Sequence, residues 1–162
     1  MRAKNNLIFM EDSYIQKDLK RGIDYIGVNC IFYCHDGHGN LLMHRRSKNC
    51  RDEQGVWDCG GGSMEFGETP EQAVRREVFE EYGVEPISLK FATARNVLRD
   101  NRGVLTHWIA LLFVVEVDPS QVKIGEPEKM EQLSWFSFDQ LPERLHSQIP
   151  AHFKAIRDAG VL

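Results

Sequence analysis

GSMEFGETPEQAVRREVFEEYGV, residues 62–84, decides the reading of this chain. Thr69 stands as a helix N-cap, Pro70 fits the first helical position, and Gln72, three residues after the cap, completes a capping box. Good helix formers then run to Tyr82, and Gly83 supplies the stop, so the segment predicts a helix over 70–82. At the helical repeat, Glu77, Glu80 and Glu81 fall within an arc of about 100° on one face. Val74, Val78 and Tyr82 form a second, apolar flank suited to packing on a sheet, and Arg76 lies beside the acidic group.

Carboxylates crowded on one helix face repel each other, so something must compensate. A solvated acidic face is one reading. The other is a hard divalent cation, because Mg²⁺ and Mn²⁺ prefer oxygen ligands and Mg²⁺ commonly bridges carboxylates to substrate phosphates. Glu68, in the loop before the helix, is placed to contribute to such a site.

Outward from this segment the pattern alternates between strands and helices. Residues 24–34 (DYIGVNCIFYC) are rich in β-branched and aromatic residues and predict a strand; the turn cluster Asp36–Asn40 and a partner strand over 41–46 follow, as in a hairpin. The triplet Gly60-Gly61-Gly62 reads as a loop. Strands are expected over 86–97, 104–117 and 131–136, and a second helix over 150–159 closed by Gly160. The resulting class is α/β (α+β), a mixed sheet between helices. Residues 1–22 read as a polar N-terminal extension, and residues 23–162 as one domain.

Composition narrows the function. The 20 basic and 24 acidic residues give a net charge of −4, which disfavours non-specific binding to a nucleic-acid polymer. The longest apolar run, Trp108–Val115, is far shorter than the ~20 residues of a membrane span, and Leu7–Met10 is too short for a signal core, so a cytoplasmic protein without a membrane partner is expected. The cysteines, Cys30, Cys34, Cys50 and Cys59, form no CxxC pair and read as reduced thiols. His44 and His107, each inside an apolar strand, read as structural histidines, and Trp135 and Phe136 as core.

The segment resembles the Nudix box: Gly62, five residues, Glu68, seven residues, then Arg76-Glu77-Val78-Phe79-Glu80-Glu81-Tyr82-Gly83-Val84, with every defined position filled. The likeness extends over about residues 24–142, through Trp57–Gly62, Leu41–Ser47, Glu126–Lys129 and Trp135–Pro142, although Cys59-Gly60 stands where the family normally carries Leu-Pro. The resemblance implies the Nudix fold and Mg²⁺-dependent hydrolysis, with Mn²⁺ as an alternative ion, of a pyrophosphate linkage in a nucleotide. By matched position it implies Glu77, Glu80 and Glu81 as metal carboxylates, Glu68 as an assistant to the metal site or its water, and Arg76 as an orienting ion-pair partner. Gly61 and Gly62 would shape the loop. Glu80, Glu81 or Glu128 would take the water's proton, with Glu128 ranked above Glu126 and Glu131. Arg45 and Arg46, ending a strand, are candidate phosphate contacts, and Asn96 a candidate facing the pocket.

The likeness around Arg95–Val97 and Glu126–Lys129 points to a nucleoside triphosphate released as monophosphate and pyrophosphate. An ADP-ribose or other NDP-sugar pyrophosphatase is the alternative. A non-catalytic nucleotide-sensing domain is a third reading, which the intact box disfavours. A homodimer is left open.

Overall fold

Strand β1 (Gly27–His35) divides the molecule into two layers by simple alternation. Cys30, Phe32 and Cys34 point to one face and pack with Val74, Val78 and Tyr82 of helix α1 (Pro70–Tyr82). Tyr33 and Ile31 point to the other face, which also receives Ile149 and Ile156 of helix α2 (Ile149–Asp158). The computed structural model describes residues 19–161; residues 1–18, most of the expected N-terminal extension, lie outside them.

The remaining strands are β2 (Asn40–Arg46), β3 (Trp57–Asp58), β4 (Gly60–Ser63), β5 (Ser88–Asn101), β6 (Val104–Glu116) and β7 (Met130–Ser137). They form one seven-stranded sheet with the path β3-β2-β1-β6-β5, β4 paired to β1 and β7 to β2. The β1–β6 pair is parallel, whereas β1–β2, β1–β4 and β5–β6 are antiparallel. This is the expected mixed sheet between helices.

Helix α1 forms as its termini dictate. Thr69 Oγ1 accepts from Gln72 N–H, Thr69 N–H donates to the Gln72 side chain at 2.8 Å, and Gly83 closes the helix with φ 63°, a left-handed conformation that costs glycine little. Its inner flank is fully buried, with Tyr82 edge-on to Phe32 and its hydroxyl 2.9 Å from His44 Nδ1. Each buried Val contributes on the order of 1.5–3 kcal/mol.

Two expectations change. Gly60–Ser63 is a strand, paired with Asn29–Phe32, rather than a loop. Strand β5 begins at Ser88 and runs on to Asn101, past the expected end, and carries a bulge between Phe91 and Thr93. Trp135 and Phe136 pack against the two opposite cores, as expected of core residues. Cys30, Cys34 and Cys59 are buried free thiols. Among the described residues no helix is long and apolar enough to cross a membrane.

Candidate functional site

The glycine strand explains how the acidic helix face is held. β4 carries no side chain at Gly60, Gly61 or Gly62, so α1 lies close against it. A Cβ at Gly62 would sit 1.9 Å from the Glu77 carboxyl carbon, and one at Gly60 would sit 2.6 Å from Glu81 Oε2. The Gly61 N–H donates weakly to Glu81 Oε1 at 3.4 Å. Glu77 and Glu81 are therefore turned inward, with Glu81 only 6% exposed, whereas the Glu80 side chain is half-exposed at the outer edge.

Arg76 clamps this group. Its guanidinium donates to Glu68 at 2.7 and 3.0 Å, to Glu77 Oε1 at 2.8 Å and to Glu80 Oε2 at 3.2 Å. Both Glu68 oxygens are occupied by Arg76, and one also accepts from the Glu65 N–H. Glu68 thus reaches the other carboxylates only through Arg76, and the hydrogen bonds hold its carboxyl down at about 2. Glu77 is pushed the other way by burial, against the pull of Arg76. Burial raises Glu81 well above the ordinary carboxylate range, and the Glu77 charge adds to the effect.

A further carboxylate joins from the loop before β7. It belongs to Glu126, whose charge is felt by both Glu77 and Glu81 and whose Oε1 pairs with Lys129 Nζ at 2.7 Å. Glu128, ranked first from sequence, is exposed, and its backbone carbonyl is engaged by Ser47 Oγ and Asn49 Nδ2. The geometry therefore favours Glu126 over Glu128. Glu81 Oε2 and Glu126 Oε2 are both buried without a hydrogen-bond partner among the described residues. No group of three His, Cys, Asp or Glu side chains among the described residues is arranged to hold a metal ion. Nevertheless, buried, unpartnered carboxylate oxygens of this kind fit a hard divalent cation, which prefers oxygen donors.

Glu81, Gly61 and Gly62 border a cavity of about 460 Å³ on the α2 side of the sheet. Basic side chains, Arg46, Arg51, Arg99 and Lys129, lie on its wall. Arg46 is tied to Asp52 and Asp58, both at 2.9 Å, and Arg99 to Glu53 at 2.6 Å. The two arginines expected at the end of β2 separate: Arg46 faces the cavity, whereas Arg45 is exposed and pairs loosely with Glu131 at 3.8 Å. Asn96 does not face the cavity. It is exposed and bonded to His107 at 2.5 Å, while Val97 and Arg99 line the wall from the opposite side of β5. Sequence reading did not single out Arg99 or His152, and it ranked Glu126 below Glu128. Buried Val97 carries the signal for Arg99, two residues along the same face.

His152 of α2 closes the cavity opposite the sheet, its Nδ1 2.7 Å from the Tyr33 hydroxyl. Burial, with Arg95 and His146 nearby, lowers its pKa to about 3. An unfolded histidine titrates near 6.5, so between about pH 6.5 and 3 the unfolded chain takes up a proton that the native state refuses, and stability falls with pH. Going from pH 7.5 to 5, His152 is expected to withdraw about 2 kcal/mol of folding stability. Urea unfolding at the two pH values checks this: His152→Gln should lose less than the wild type, and an equal loss would show that another group is responsible.

A family model described as the NUDIX domain matches residues 26–158. The NAD-capped RNA hydrolase NudC of Salmonella heidelberg (strain SL476) is 30% identical over 113 residues, covering 70% of this chain and 40% of the relative. The NudC of Escherichia coli (strain SMS-3-5 / SECEC) is 31% identical over 102 residues, covering 63% and 35%. The chain thus spans well under half the length of these relatives. Among solved structures, a MutT NUDIX hydrolase from Burkholderia pseudomallei superposes with a TM-score of 0.69 at 26% identity, covering 82% of this chain and 97% of that one. The MutT protein from Methanosarcina mazei Go1 gives 0.69 at 25% identity, covering 83% and 95%.

Proposed function

Because this chain belongs to the Nudix hydrolase family, we propose that it is a Mg²⁺-dependent pyrophosphohydrolase that cleaves a nucleoside triphosphate to the monophosphate and pyrophosphate. The observation that carries this reading is the meeting of buried carboxylates with a basic-walled cavity at the glycine strand. Glu77 and Glu81, with Glu80 alongside, would hold the Mg²⁺ ion, and Mn²⁺ suits the same oxygen donors. The bound ion would supply charge neutralisation and activation of water.

The chain's own residues do the rest. Arg46 and Arg99 take phosphate oxygens at the wall, exchanging part of their pairing with Asp52 and Glu53. Arg76 keeps Glu77 and Glu80 in place. Glu126 Oε2, which has no partner among the described residues, accepts the proton of the attacking water as the water oxygen bonds to phosphorus. The phosphorus–oxygen bond to the leaving phosphate breaks, and pyrophosphate departs with the bonding pair.

The relatives named NAD-capped RNA hydrolase favour a second reading, since NAD itself carries a pyrophosphate joining two nucleosides. A panel of nucleoside triphosphates, NAD, ADP-ribose and an NDP-sugar with Mg²⁺, products separated, decides between them. A triphosphate is expected to be cleaved fastest. A clear lead for NAD, ADP-ribose or the sugar nucleotide would move the assignment to the second reading.

A further inference from the structure

Three polar atoms between the sheet and α2 are buried without a hydrogen-bond partner among the described residues: Asn29 Oδ1, Arg95 Nη1 and His152 Nε2. Strand register brings two of them to one place, because Asn29 and Arg95 both pair with Ala110, from β1 on one side and β5 on the other. Ala110 ends at Cβ, which leaves room above it. His152 arrives from α2, near enough for the Arg95 charge to act on it. Asn29, Ala110 and His152 all border the cavity. Each of these atoms is shut off from bulk solvent without a partner among the described residues, and three between the sheet and α2 call for a shared partner.

The donor pattern follows from Tyr33, whose hydroxyl has His152 Nδ1 as its hydrogen-bond partner. If the ring donated to the phenol, the phenol proton and Nε2 would both be stranded. With the phenol donating, Nε2 carries the proton, and only that N–H is left over. The cluster therefore offers two donors, Arg95 Nη1 and His152 Nε2–H, and one acceptor, Asn29 Oδ1.

We propose that the nucleotide lies with its base over Ala110 and that Asn29, Arg95 and His152 select an oxo base, whose carbonyl accepts from Arg95 and His152 while the adjacent ring N–H donates to Asn29. Uracil, thymine, guanine and hypoxanthine carry this carbonyl–N–H edge. Adenine and cytosine place an amino donor where the carbonyl is needed, against two donors. The assignment rests on the nucleotide reading of the cavity given above.

Calorimetric titration of the full chain, in chelator, with UMP, GMP, AMP, CMP and ribose 5-phosphate tests it without requiring hydrolysis. UMP and GMP are expected to bind at least about 10-fold tighter than the other three. Asn29→Leu and Arg95→Met, each checked by thermal melting, should bring UMP and GMP to within about 3-fold of AMP. Equal affinities, no binding by any probe, a preference for AMP or CMP, or a preference intact in both variants would overturn the assignment and leave the atoms to buried water. Hydrolysis without base preference removes this inference and leaves the functional reading standing; base preference without hydrolysis does the reverse.

Discussion

Chelation of divalent cations is expected to stop turnover, and Glu81→Gln to lower kcat/KM at low Mg²⁺ by at least about 100-fold, equivalent to about 2.7 kcal/mol of transition-state stabilisation. Glu81 is the deepest carboxylate of the group, 6% exposed, and Arg76 does not bond to it. Its Oε2 has no hydrogen-bond partner among the described residues. Glutamine keeps the shape and the contact to Gly61 but withdraws the charge that a cation needs. The fold gains by the same change, because a buried carboxylate beside Glu77 is costly when ionised. The apo melting temperature should therefore hold or rise while activity collapses. A titration of kcat/KM against Mg²⁺, paired with thermal melts, reads both. Near-wild-type activity at low Mg²⁺ would show that Glu81 is no ligand, and turnover undiminished after thorough chelation would remove the mechanism.

Gly62→Ala is expected to cost at least about 100-fold in kcat/KM through displacement of Glu77. The added methyl carbon would lie 1.9 Å from the Glu77 carboxyl carbon. The backbone of β4 cannot retreat easily, because Gly62 is in register with Cys30 at the centre of the sheet. The side chain moves instead, away from the position where Arg76 holds it at 2.8 Å. Glu77 is long and partly exposed, so the melting temperature should change by only a few degrees, as for a loss of order 1 kcal/mol. Kinetics and a melt on the same preparation separate the outcomes. Full activity would mean that Glu77 need not stand at the glycine strand, and a chain that does not fold would place the damage in the sheet.

The helix and its caps were legible because every local signal agreed: Thr69, Pro70, Gln72 and Gly83 each had a position to fill, and each fills it. The acidic face was legible for the same reason, since helical geometry alone aligns Glu77 with Glu80 and Glu81. The glycine strand was not. Gly60, Gly61 and Gly62 have no strand propensity to read, and their place in the sheet is set by β1 and by the carboxylates that press against them. Asn96 failed for a related reason. The bulge between Phe91 and Thr93 resets the alternation of β5, so the cavity receives Val97 and Arg99, and Asn96 turns outward. The choice between Glu126 and Glu128 depended on the path of a loop, whose alternation no repeat constrains.

The parallel pairing of β1 with β6 joins Gly27 to Trp108, a separation of about eighty residues. Such a contact is slow to make, because a long loop must close before any bond rewards it. Ala110 and Trp108 come to the cavity only through that closure, whereas Arg76 and the glutamates of α1 are near one another in the chain. Folding should therefore order the acidic helix early and the cavity late. A nascent chain released before β6 would carry the acidic cluster on a helix but lack the far wall of the cavity.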